Sequence, residues 1–245
     1  MRMEWLPFRP YFSTALYGLR MAKSLYGRFP RECTVCGYKG RFHAFDNPLH
    51  IGVNIDSRCP KCISLERHRL VALCDREHNL FEGRDVLHFA PEPGLRSYIK
   101  GRHPKSYVTS DYAGAADLQL DIEKIALPDN AFDVVYCSHI LEHVDDGRAI
   151  SELYRIVRPN GLLLAMVPLT EGWDESFADP SKATTDDDRK LYFNQEDHIR
   201  FFGRDFRDRL AAPGFRLEEF TAVEPYVSQH GLIRGEKIFI CRKPA

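Results

Sequence analysis

Long apolar runs are missing from this chain of 245 residues. The longest, Leu162 to Leu169, has eight residues and contains Pro168. A membrane-spanning helix needs about 20 consecutive apolar residues, so none is encoded. Net charge is nearly absent too, at −1. Disorder along a whole chain needs high net charge and low hydrophobicity. Here 44% of residues are hydrophobic and 12% aromatic, enough for a sizeable core. Collagen-like repeats and low-complexity arrays are lacking. The opening MRMEWLPFRP is basic but broken by Glu4, Pro7 and Pro10, and no signal-peptide core follows directly. A cytoplasmic location is expected.

The near-zero charge hides an asymmetry. Residues 1–80 carry 13 Lys/Arg against 7 Asp/Glu, and residues 81–245 carry 21 against 28. A basic front and an acidic body suggest two parts with different jobs. The front either faces phosphates, anionic lipid or an acidic partner, or is simply solvated.

Four of the seven cysteines form two C-x2-C pairs, Cys33/Cys36 and Cys59/Cys62, with 22 residues between them. This is the spacing of a tetrahedral four-cysteine zinc site. Gly37 suits the first tight turn because it tolerates positive φ. The intervening segment is long enough for a short hairpin, as in a zinc ribbon. Four thiolates close the coordination shell, so the zinc is expected to be structural. Cys74, Cys137 and Cys241 stand alone and read as small buried apolar residues. Residues 11–26 have a basic amphipathic pattern. Such a segment either lies on a membrane surface or, the commoner outcome, packs on its own protein. Residues 64–81 read as a helix linking ribbon to body.

From residue 85 strands and helices alternate. Strands are expected at 85–90, 106–112, 117–122, 131–138 and 161–168. Helices are expected at 94–101 and 147–158, the second stopped by Pro159-Asn160-Gly161. A helix within 204–215 and two final antiparallel strands follow. The alternation implies an α/β, Rossmann-like doubly wound sheet, mostly parallel, with ligands at the carboxyl ends of the strands. Three parts result: an N-terminal basic segment (1–30), the ribbon with its linking helix (31–80) and the α/β domain (81–245).

The run FDVVYCSHILEHVDD (132–146), the helix after it and the Pro-Asn-Gly turn before GLLLAMVP resemble class I S-adenosylmethionine-dependent methyltransferases. The likeness extends best over 84–170. Within that superfamily it resembles methyltransferase domains with an N-terminal four-cysteine ribbon. It implies S-adenosylmethionine as cofactor beside zinc. Asp111 would accept hydrogen bonds from the ribose hydroxyls. Asp121 would face the adenine amine, with Ile122 packing the ring. Ser138 and His139 would border the methionine end and the substrate. Each Asp can equally be a turn or cap residue. The glycine-rich first loop of the family is altered here to His88-Phe89-Ala90-Pro91-Glu92-Pro93-Gly94. His88 holds the acid position and only Gly94 remains of the glycines. Glu92 is expected to supply a carboxylate for the cofactor's ammonium.

His139-Ile-Leu-Glu142-His143 also matches H-x-x-E-H, a zinc-protease pattern. That motif belongs on a long helix, whereas a strand runs into this one, so a catalytic metal is not expected. The polar stretch 171–194 reads as a lid. After it, the resemblance singles out Asp197, His198 and Arg200 as substrate-side residues. His198 or His139 would act as general base, and Arg200 would bind an anionic group. The alternative is a helix-start cap with surface pairs.

Three functions follow. The first is methyl transfer to a small molecule or glycan precursor. The second is RNA methylation with the ribbon gripping nucleic acid. The third is a non-catalytic binding protein with a degenerate cofactor loop. The acidic body and the lack of an Asn/Asp-Pro-Pro-aromatic motif favour the first. No obligate protein partner is implied.

Overall fold

The computed structural model describes residues 25–46, 53–182 and 184–245, together with positions 15, 16, 18, 19, 22 and 23. Those six positions are helical, and Leu16 and Leu19 are exposed rather than packed on the protein. The rest of the 11–24 amphipathic segment lies outside the described residues. No described helix is long and apolar enough to cross a membrane.

The first module is two small antiparallel hairpins. Strand β1 (Pro30–Glu32) pairs with β2 (Lys39–Arg41), and β3 (His43–Asp46) pairs with β4 (Val53–Arg58). Among the described residues its buried apolar set is Cys33, Phe42 and Cys59. Helix Glu66–His78 follows. Leu70, Val71, Leu73 and Cys74 of this helix sit in the same core as the main sheet, so the linking helix is built into the body.

That sheet has seven strands in the order β10-β11-β9-β8-β5-β6-β7. They are β5 (Asp85–Phe89), β6 (Ser106–Asp111), β7 (Leu118–Gln119), β8 (Phe132–Ser138), β9 (Val157–Met166), β10 (Arg216–Thr221) and β11 (Lys237–Arg242). Strands β5 to β9 run parallel, and β10 and β11 are antiparallel. The apolar run of β8 is buried on both faces, as a central parallel strand requires. Helix Asp146–Ile156 is capped by Asp145, which accepts from the Arg148 amide at 3.1 Å. Its Ala149, Ile150, Leu153 and Ile156 form one buried stripe. Cys74, Cys137 and Cys241 are fully buried.

Two elements differ from the sequence expectation. The strand expected over 117–122 pairs only at Leu118–Gln119. Asp121 then turns the chain by accepting from the Glu123 amide at 2.9 Å, and Leu120, Ile122 and Ile125 drop into the core. Pro159-Asn160-Gly161 does not stop the helix. The helix ends at Ile156, and β9 already begins at Val157, opposite Phe132. The triplet is an irregularity inside that strand, with Asn160 at φ +63°.

Candidate active site

The four ribbon cysteines meet. Sγ–Sγ separations are 3.6 Å for Cys33–Cys62 and 3.8 Å for Cys36–Cys59, and all four sulfurs lie within 4.8 Å of one another. Thiolates about 2.3 Å from a tetrahedral zinc stand about 3.8 Å apart, whereas a disulfide needs about 2.0 Å. The spacing fits zinc. The Ser64 hydroxyl lies 3.3 Å from Cys33 Sγ and 3.2 Å from Cys62 Sγ. The two knuckles share one turn: Gly37 and Ile63 each donate an amide to the carbonyl of the first cysteine, at 2.9 Å. Both have positive φ, +71° and +57°.

The loop 90–94, expected from the resemblance to face a cofactor, leans on this module. Ala90 stands where the family has its first glycine, and it has φ +49°. The backbone thus keeps the glycine conformation without the glycine. Glu92 is engaged rather than free. Its Oε1 accepts from Arg67 Nε at 3.1 Å, and its Oε2 is 2.5 Å from His68 Nε2. Desolvation pushes its carboxyl up, but His68 and Arg67 outweigh this and hold it at about 2. A Cβ on Gly94 would lie 2.7 Å from the Cys62 carbonyl oxygen. This glycine therefore lets the loop's helix, Pro93–Gly101, pack on the second knuckle. His88 is fully buried, with Nδ1 2.8 Å from the Tyr107 hydroxyl. Burial depresses its pKa to about 3, so it is neutral.

Asp111 ends β6, and its Oδ1 accepts from the Ala115 amide at 2.9 Å. Asp121 caps its own turn as described, with Ile122 buried beside it. Both acids therefore have local turn partners. Asp111 is the last residue of β6, the neighbour of β5, and Asp121 follows the end of β7 on the far side of β6. Around this edge three buried polar atoms lack a hydrogen-bond partner among the described residues: His88 Nε2, Ser110 Oγ and Ser138 Oγ. Interiors rarely leave such atoms unpaired, and a polar ligand at the strand ends is one way to satisfy them.

After Ser138 the chain turns sharply at His139, φ +53°, into a short 3-10 helix, Leu141–His143. Strained non-glycine backbone of this kind clusters at functional sites. His139 Nδ1 is 3.4 Å from Glu142 Oε1, and His198 Nε2 is 4.0 Å from the same oxygen. The two histidines expected as general bases therefore converge on one buried carboxylate. Desolvation lowers the His198 pKa to about 4.

The segment 171–194, polar in sequence, is anchored by aromatic rings. Phe177 and Phe201 exchange backbone hydrogen bonds at 2.9 Å, and buried Phe193 packs on both rings. Asp197 accepts from Gln195 Nε2 at 2.7 Å and is half exposed. Arg200 pairs with Asp146 at the start of helix Asp146–Ile156, so its charge is already matched.

Glu142 and His143 stood in the sequence only as part of a motif set aside. The consecutive Arg67-His68-Arg69 was not singled out at all. Its one signal was charge on the core-facing side of an apolar helix. Arg69 is fully buried and donates to the carbonyls of Ser64, His230 and Gly231 at 2.8, 2.7 and 2.7 Å.

Residues 79–165 match the family described as "Methyltransferase domain". Among curated proteins the chain is similar to a malonyl-[acyl-carrier protein] O-methyltransferase of Yersinia pestis, 32% identical over 89 residues. That match takes in 36% of this chain and only 30% of the relative. Among solved structures it is similar to an S-adenosylmethionine-dependent methyltransferase from Mesorhizobium loti, with TM-score 0.50 and 15% identity. The overlap is 71% of this chain and 98% of that one. It is also similar to the [4+2]-cyclase SpnF, with TM-score 0.50 and 18% identity, over 73% and 82% of the two chains. The structural likenesses speak to the fold, and a cyclase among them shows that the fold alone does not dictate the reaction.

Proposed function

We propose that the chain, whose residues 79–165 match a methyltransferase domain, is a class I S-adenosylmethionine-dependent methyltransferase that acts on a small molecule or a glycan precursor. The observation that carries the reading is the set of unpaired buried polar atoms along the strand ends, beside the left-handed backbone of Ala90 and His139.

In this reading Ala90, Asp111, Asp121, Ile122 and Ser138 line the cofactor site, with His88 and Gly94 behind the loop. Bound S-adenosylmethionine supplies an electrophilic methyl group on a sulfonium. Asp111 accepts hydrogen bonds from a cis-diol through lone pairs left over from its turn. Ile122 offers an apolar face to the adenine. Glu92 reaches the cofactor less directly than the sequence suggested: its carboxylate fixes the loop by holding Arg67 and His68. His139, about one-third exposed, is the proton acceptor on the substrate side. His198 is too desolvated to take that part well. Zinc on Cys33, Cys36, Cys59 and Cys62 is structural, because four thiolates leave no open position.

Titration calorimetry of the zinc-loaded protein with S-adenosylhomocysteine tests this. Wild type is expected to bind, and Asp111→Ala to weaken binding by about tenfold or more, the worth of a charge-assisted hydrogen bond. A well-folded wild type that ignores the ligand would turn attention to a non-catalytic binding role.

A further inference from the structure

The cluster after β8 leaves an interior carboxylate unaccounted for. Glu142 is 1% exposed, and the groups nearest its carboxylate are histidines that make no hydrogen bond of good geometry to it: His139 Nδ1 at 3.4 Å and His198 Nε2 at 4.0 Å from Oε1. A buried carboxylate is ordinarily paired, hydrogen-bonded or bound to a metal. Its neighbours are histidines from two segments far apart in the chain. One donor atom each of Glu142, His143 and His198 lie within 4.8 Å of one another. The rings of His143 and His198 meet edge to face, centroids 4.7 Å apart.

The second ring nitrogens explain the arrangement. His198 Nδ1 is 3.1 Å from the Phe193 carbonyl oxygen, and His143 Nδ1 is 3.0 Å from that of Asp197. A carbonyl only accepts, so each neutral ring carries its proton on Nδ1 and keeps the Nε2 lone pair free. Metal-ligating histidines are typically fixed this way. The zinc-protease motif is not what is built here. His139 sits in a left-handed turn off the shared face, and the third donor comes from His198.

We infer that Glu142, His143 and His198 form a second metal site, for a divalent first-row transition cation. Two imidazole nitrogens and one carboxylate suit manganese, iron, cobalt or zinc, whereas magnesium and calcium favour all-oxygen shells. Three protein donors leave coordination positions open. His139 borders the site, its Nδ1 3.4 Å from Glu142 Oε1. Resting on the methyl-transfer reading, this names the acceptor class: a molecule with two adjacent oxygens, such as a hydroxyl beside a carboxylate. His139 is left as the proton acceptor.

Cobalt(II) added to the zinc-loaded protein is the test. Visible d–d bands at one equivalent, without sulfur-to-metal charge transfer, are expected from an N/O site. Glu142→Gln and His198→Gln should each abolish the bands while keeping the ribbon zinc and the wild-type circular dichroism. Glycolate should then perturb the wild-type bands where ethanol does not. Charge-transfer bands alone would mean exchange into the ribbon and overturn the site. So would no bands, or bands unchanged in both variants. Bands insensitive to glycolate would overturn the acceptor class. Neither cofactor nor methyl transfer enters these readouts, so cobalt binding without S-adenosylhomocysteine binding would sink only the methyl-transfer reading.

Discussion

The ribbon and the sheet domain are held together by different means. Among its described residues the ribbon has a buried apolar cluster of just Cys33, Phe42 and Cys59, beside four sulfurs arranged for one ion. The sheet domain buries a large cluster on each face of seven strands. A module too small for its own core needs a metal or another staple. A larger one stands on apolar burial alone. The two meet through Gly94 against Cys62 and Arg69 stacked 4.5 Å over Phe42, while Glu92 ties the loop 90–94 to Arg67 and His68 of the linking helix. The ribbon is thus one wall of the loop's support.

The largest break should come from removing the metal. A strong thiol-competing chelator, or Cys59→Ser, is expected to abolish amide-exchange protection across 30–62. Protection around 90–94 should fall, while β5, β8 and β9 keep theirs. Uniform loss over the whole chain would contradict the division into two stabilising schemes. Next, Arg69→Met should destabilise by about 3 kcal/mol, because three buried carbonyls lose a charged donor. Denaturant unfolding reads this directly, and a cost near zero would show that the joint does not matter. Gly94→Ala pushes a methyl into backbone and should cost about 1–3 kcal/mol. It should also weaken cofactor binding, if the ribbon positions the loop.

Acid should loosen the same joint. The Glu92 carboxyl is held at about 2, below its ordinary 4.5. Its contribution is therefore complete above pH 4.5 and is lost as the pH falls toward 2. Glu92→Gln should flatten the stability profile in that window, and an unaltered slope would assign the effect to other carboxylates. The smallest effect compares the knuckles. Ile63 occupies the left-handed position that Gly37 fills in the first turn, and it is half exposed. Ile63→Gly should stabilise the zinc-loaded ribbon by about 1 kcal/mol, net of glycine's entropy. A melting curve of the holo-protein checks the sign.

Much of the fold was legible because its signals are local. The cysteine pairs needed only their spacing, and β8 needed only an apolar run bounded by polar turns. Pro159-Asn160-Gly161 misled because turn residues also mark bulges, and only pairing with β8 separates the two outcomes. The loop at the end of β5 was legible by position, and its Ala90 takes the left-handed backbone expected of a glycine there. The partners of Glu92 and Gly94 were not, since both lie in the ribbon's trailing segment.

From its order of residues alone the chain specified a four-cysteine cluster and a mostly parallel α/β sheet. Periodicity and short spacings are properties of neighbours along the backbone. Tertiary structure alone decided that Glu142 would be buried among His139, His143 and His198, and that Gly94 would let its loop pack on the second knuckle. Those contacts join segments distant in sequence, and only the packing of the folded chain determines which side chains meet there.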